Sequence, residues 1–150
     1  MKRIKITSGK YTWIARLNET IAPQTCAWFL QRLPYKTRFL QGRWSGNAVF
    51  ARLQTSGANV PWENATTYPQ NGQIVMYPGD AVQGGGEIYM PYGANAFACE
   101  YGKITGNPFL TIIEGQDALP QYGELVHDQG AQDVLFELMN ERETSLSNRE

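Results

Sequence analysis

Residues 15–30, Ala15-Arg-Leu-Asn-Glu-Thr-Ile-Ala-Pro-Gln-Thr-Cys-Ala-Trp-Phe-Leu30, change their period half-way. Ahead of Asn18, the residues Trp13, Ala15 and Leu17 alternate with Ile14 and Arg16, the period of a half-buried strand. Past it, Cys26, Phe29, Leu30 and Leu33 recur at helical spacing. Pro23 falls in the first turn of that helix, where its missing N–H breaks no helical bond, and Pro34 stops the run. A strand thus leads directly into a short amphipathic helix that must lie on a sheet.

Working outward, Ile4 and Ile6 alternate with Lys5 and Thr7, and Ser8-Gly9-Lys10 is turn material, so the first two runs read as a hairpin. Val49 to Leu53, Ile74 to Tyr77, Glu87 to Met90, Ala96 to Tyr101 and Leu110 to Ile113 are further strand candidates, punctuated by glycine and proline. The polar stretch Gln54 to Asn71 is too long for a turn and reads as an ordered excursion or a functional loop. A second helix is expected over about Leu119 to Gln129, with Leu119, Tyr122, Leu125 and Val126 inward and Gly130 at its end. Val134, Phe136 and Leu138 make a last strand. The fold class expected is mainly β with two helices, a closed β-barrel capped at its ends. One domain over 1–139 is followed by a polar tail, 140–150.

Bulk properties remove several functions. Thirteen basic residues against fourteen acidic ones leave a formal charge of -1, with no positive stripe for nucleic acid. No window has the length or apolarity of a membrane span or a signal peptide, so a cytoplasmic protein with no membrane partner is expected. Cys26 and Cys99 are the only cysteines and read as buried free thiols. No metal site and no cofactor is expected.

The Ala22-Pro23-x-Thr25 turn, with Phe29 four residues after the threonine, resembles the approach to the first helix of cyclophilins. Later blocks in the same register resemble a bacterial cyclophilin-like family known mainly as a domain of unknown function. These blocks are Gly42-Arg-Trp-Ser-Gly-Asn, Pro61-Trp-Glu-Asn-Ala-Thr-Thr-Tyr-Pro, Glu87-Ile-Tyr-Met-Pro-Tyr-Gly and Gly106-Asn-Pro-Phe. The resemblance spans roughly residues 4 to 139 and implies a cyclophilin-like barrel. It departs from prolyl isomerases where they carry Phe-His-Arg and Gln-Gly-Gly-Asp. Here the chain reads Thr37-Arg-Phe-Leu-Gln-Gly-Arg-Trp, with Arg38 and Arg43 out of frame, so weak peptidyl-prolyl isomerisation ranks third among the functions weighed.

Candidate site residues are few. Arg43, Trp44 and Asn47, bracketed by Gly42 and Gly46, offer a planar cation, an indole face and an amide suited to a carboxylate or a flat ligand. The bland alternative is a tryptophan plugging the barrel end beside an exposed arginine. Alternation sets Glu87 and Tyr89 on one face of a strand, a carboxyl beside a phenol, with Tyr92 and Asn95 following; solvated strand residues would look the same. Glu100 and Glu114 are expected to face outward.

His127, the only histidine, reads as a helix-end group, and Gly84-Gly85-Gly86 as a flexible hairpin, because no phosphate-loop Lys-Ser/Thr pair follows. The aromatic stretch Trp62 to Tyr68 reads as a lid or an oligomer contact. The leading expectation is a small polar or anionic metabolite bound at a barrel-mouth pocket by Arg43, Trp44, Asn47, Glu87, Tyr89 and Tyr92. A non-catalytic scaffold or homo-oligomer subunit is the alternative.

Overall fold

Period-two alternation in eight segments is realised as one closed antiparallel barrel in the computed structural model, which describes residues 2–54, 59–79 and 85–140. Its strands are β1 (Arg3–Ser8), β2 (Tyr11–Leu17), β3 (Tyr35–Gln41), β4 (Gly46–Arg52), β5 (Gln73–Tyr77), β6 (Glu87–Asn95), β9 (Asn107–Glu114) and β10 (Gln132–Leu138). Around the wall they run β1-β10-β3-β4-β6-β5-β9-β2. A two-stranded ribbon, β7 (Ala98–Cys99) with β8 (Gly102–Lys103), stands outside the barrel. The tail expected over 140–150 lies, beyond Asn140, outside the described residues, as does Gly84 of the glycine triplet. Among the described residues no helix is long and apolar enough to cross a membrane.

Inward-facing residues from every strand fill the barrel, and a helix closes each end. The first, α1 (Pro23–Leu30), inserts Cys26 and Phe29, with the Phe29 ring 5.9 Å from Tyr35 and 5.0 Å from Phe109. The second, α2 (Leu119–Gln129), inserts Leu119, Tyr122 and Val126; Tyr122 meets Trp13 edge-on at 4.8 Å and Phe39 at 6.4 Å. Because Tyr35 opens β3 and Phe39 lies near its end, the two helices plug opposite mouths. Edge-to-face rings of this kind add about 1 kcal/mol each to the burial of their area. Tyr122 is also pinned by a hydroxyl contact with Ser8 at 2.8 Å.

One wall strand has no counterpart among the sequence expectations, and one expected strand is corrected. Tyr35–Gln41 is a full barrel strand, with Tyr35 and Phe39 buried and Lys36 and Arg38 exposed. Ala96 to Tyr101 is not a wall strand; only Ala98–Cys99 pairs, and it pairs with β8. The apolar side chain of that run, Phe97, covers the outside of the wall instead.

On that outside face lies a second, smaller core of Ala48, Val75, Tyr77, Tyr89 and Phe97, all buried. Its residues alternate with the interior ones, Tyr89 outward between Ile88 and Met90 inward. Phe97 stacks on Tyr89, with centroids 4.1 Å apart and planes 23° apart. The covering segment is sewn down by backbone bonds, Ala96 N–H to Ser45 O at 2.9 Å and Phe97 N–H to Thr67 O at 2.7 Å.

Candidate functional site

The β3–β4 connection folds back over the outer core. Gly46, at φ 92°, makes the reversal, and a Cβ there would stand 2.7 Å from Ala94 O, so no larger residue fits. Ser45 then locks the connection to the ribbon: its Oγ donates to Ala98 O at 3.1 Å and accepts from Ala98 N–H at 3.0 Å. Between this connection, the ribbon and the outer face of β4–β6–β5 lies a cavity of about 550 Å³.

Four of the six sequence-derived residues line it: Arg43, Trp44, Glu87 and Tyr89. Their cavity opens on the outer wall, not at a barrel mouth, because both mouths are filled by the helices. The other two stand elsewhere. Tyr92 points to the opposite face of β6, donates its hydroxyl to Gln41 Oε1 at 2.7 Å, and packs so closely on Gly123 that a Cβ there would lie 2.2 Å from the ring. Asn47 is exposed, its side chain against Gly93, outside the cavity lining.

Trp44 is 53 % exposed beside the cavity, and the Arg43 guanidinium stands 5.4 Å from its ring centroid. Tyr89 is part of the floor: its hydroxyl donates to Asn95 Oδ1 at 2.9 Å, and burial drives its ionisation well above the ordinary tyrosine range. That phenol is therefore committed to the scaffold. Glu87 is different. It begins β6, paired in register with Arg52 on one side and Tyr77 on the other. Burial pushes its carboxyl up to about 7, and only the charge of Arg52 opposes the shift.

Arg52, Tyr77 and Phe50 complete the floor and far end, and sequence reading missed all three. Phe50 and Arg52 share a face by alternation, but their meeting with Tyr89 and Glu87 is a matter of register, which one sequence does not fix. Glu100 faces the cavity from the β7–β8 turn and is exposed; Cys99, beside it, is mostly buried. Arg38 is remote on β3, its Nε 3.6 Å from Asp133 Oδ1 on β10. His127 is exposed with Glu124 and Asp128 at the end of α2, a solvated helix terminus.

The long polar loop has a structural role at the start of α1. Ala22 caps α1 with no side-chain hydrogen bond. Glu63 replaces the missing cap: its Oε1 accepts from Thr25 N–H and Thr25 Oγ1, both at 2.7 Å, and its Oε2 from Gln24 N–H at 3.0 Å. Asn107, fully buried, bridges the set by donating to Thr25 Oγ1 and Pro61 O and accepting from Glu63 N–H. Within the described part of the loop, Trp62 to Tyr68 is thus an ordered excursion.

A family model described as a protein of unknown function, DUF3830, matches residues 4–138. The chain belongs to that family. No curated protein matches the sequence. Among solved structures, the DUF3830 chain is similar to McbB in complex with tryptophan, at 16 % identity and a TM-score of 0.71 over 89 % of this chain. The match takes in 44 % of McbB, so the chain spans under half the length of that protein. It is also similar to the hypothetical protein AF2241 from Archaeoglobus fulgidus, at 17 % identity and a TM-score of 0.61, over 91 % of this chain and 93 % of that one. At such identities the likeness is one of fold.

Proposed function

We propose that this DUF3830 member is a cyclophilin-like barrel that binds a small polar or anionic metabolite in the outer-wall cavity. One observation carries the reading: Arg43, Trp44, Glu87 and Tyr89, distant in sequence, line one cavity of about 550 Å³. That volume is in the range of small-molecule sites, and a few polar groups above an aromatic floor are their usual make-up. Arg43 would grip an oxyanion, Trp44 would cover a flat face, and Tyr89 would hold the floor in place. Tryptophan, seen bound in McbB, is a reasonable first probe for a site with an indole and a guanidinium at its rim.

A thermal-shift screen of metabolites against the full chain tests this, since a ligand that binds only the folded state raises the melting temperature by mass action. A hit should weaken about tenfold or more in Arg43→Ala, the loss of a charge-assisted hydrogen bond. Hits indifferent to Arg43 and to Trp44→Ala would sink the reading.

A second reading, a homo-oligomeric subunit or scaffold, draws on four aromatic side chains left more than half exposed: Trp44, Trp62, Tyr68 and Tyr101. Sedimentation of the wild type against Trp62→Ser/Tyr68→Ser separates the two. A dimer lost in the double variant supports assembly through this face, and a monomer in both leaves the metabolite reading alone.

A further inference from the structure

The cavity carries charges of both signs, and Glu87 in its wall has no hydrogen-bond donor from the described residues. Among the described residues Arg43 forms no ion pair, and neither does Glu87. Arg52 from β4 and Tyr77 from β5 flank Glu87 in register; Arg43, Cys99 and Glu100 face it from the cavity's other walls. None of these neighbours gives the Glu87 carboxyl a hydrogen bond, the influences on it being burial and the charge of Arg52. Half-buried on the cavity wall, that carboxyl is left to water or to whatever enters the cavity. Glu63, at the start of α1, has three hydrogen-bond donors.

Resting on the metabolite reading above, we infer that the ligand itself supplies the missing donor: an amphoteric molecule whose ammonium group meets Glu87 while its carboxylate is held by the guanidinium groups of Arg43 and Arg52. The free α-amino acids are the simplest class of that kind. Arg52 sits directly across from Glu87 in the β4–β6 register, so one head group can reach both charges. A side chain would then run over Phe50 and Tyr89 toward Trp44, where an aromatic or long apolar group gains most.

Protonation gives the inference its sign. An ammonium ligand favours ionised Glu87, so affinity rises as pH climbs through about 7. A ligand with a carboxylate alone is repelled by ionised Glu87, and its affinity falls over the same interval.

Titration calorimetry of the full chain at pH 6 and pH 8 decides it. The probes are tryptophan, phenylalanine, glutamate and arginine, with their deaminated counterparts (indole-3-propionate, 3-phenylpropionate, glutarate) and the amines tryptamine and phenethylamine. At least one amino acid should bind at least about tenfold more tightly than its deaminated and decarboxylated counterparts. Its affinity should rise by up to about tenfold from pH 6 to pH 8, and Glu87→Gln should lower it and flatten that rise. Deaminated acids that bind as tightly as the amino acids, and more weakly at pH 8, overturn the inference while the metabolite reading stands. So does binding of an amino acid that ignores Glu87→Gln. If none of these probes binds but the wider screen gives an Arg43-dependent hit, the inference alone falls; with no such hit, both fall.

Discussion

Two glutamates in different parts of the barrel behave in opposite ways. Glu63 reaches from a long loop to the bare start of α1 and accepts three hydrogen bonds, two of them from backbone N–H groups that the helix cannot satisfy itself. Glu87 opens β6 on the wall of a cavity, and burial raises its pKa with no donor to offset the cost. A carboxylate that the fold has completed is part of the scaffold. One that the fold has left open is available to a ligand or a proton. By the same distinction Tyr89 and Tyr92, both singled out by sequence, belong to the scaffold, since they spend their hydroxyls on Asn95 and Gln41.

The largest test of this contrast is Glu63→Ala, which strips two helix N–H groups and the Thr25 hydroxyl of their acceptor. Urea unfolding at pH 7 should show a loss of about 3 kcal/mol, because each bond to an ionised acceptor contributes about 1.5 kcal/mol or more and the bonds are not independent. A loss below about 1 kcal/mol would mean that the loop is not clamped and that the two glutamates are alike.

Next in size is Glu87→Gln, with the opposite sign. The folded-state pKa is raised from 4.5 to about 7, so the folded chain holds the proton more tightly. Its contribution is fully present below about pH 4.5 and is lost as pH rises through about 7. The variant should therefore match the wild type near pH 4 and exceed it by about 2 kcal/mol at pH 8, less than the whole shift implies because water reaches the carboxyl through the cavity. Wild-type stability that is flat from pH 5 to pH 8 would remove Glu87 from the unsatisfied class.

A smaller effect sharpens the clamp. A double-mutant cycle of Glu63→Ala with Thr25→Val should return a coupling of about 1 kcal/mol, since the Thr25 hydroxyl donates directly to Glu63 Oε1. Additive losses would place the Glu63 effect in the backbone N–H groups alone.

The last comparison costs no stability. Each region holds one cysteine, and the two should react in order with a thiol reagent on the native protein. Cys26 is 1 % exposed, donates to Phe109 O at 3.5 Å, and is pushed up to about 12 by burial and then by the charges of Glu19 and Glu63. Cys99 is 8 % exposed on the cavity wall. Labelling followed by mass spectrometry should find Cys99 modified first and protected by any cavity ligand. Equal rates for the two thiols would show that reaction proceeds through unfolding.

Much of the fold was legible because strands and helices announce themselves by period. The β1–β2 hairpin, both helices and β10 follow from apolar spacing and from the prolines and glycines that bound it. β3 did not, although Tyr35 and Phe39 alternate with Lys36 and Arg38, because Leu40 breaks the polar face and the segment coincides with the altered isomerase motif. Ala96 to Tyr101 misled for a related reason: apolar residues that cover the outside of a wall have the composition of residues within it. At the site, alternation placed Glu87 with Tyr89 on one face and Tyr92 on the other, but did not say which face would line a cavity. The intervening Tyr-Met-Pro-Tyr run carries apolar and aromatic side chains on both faces, so composition did not say which side faced the interior.

By itself, then, the sequence determined the period of each element, the helix start at Ala22-Pro23, a formal charge near zero, and the residue types that a site could use. Those depend on neighbours along the chain. Only the tertiary structure decided that the barrel mouths are plugged, that Arg52 stands across from Glu87, that the β3–β4 connection folds over the outer wall, and that Glu63 is spent on a helix while Glu87 is not. These depend on strand register and loop docking, which bring together residues 35 or more positions apart and which a one-residue slip would undo.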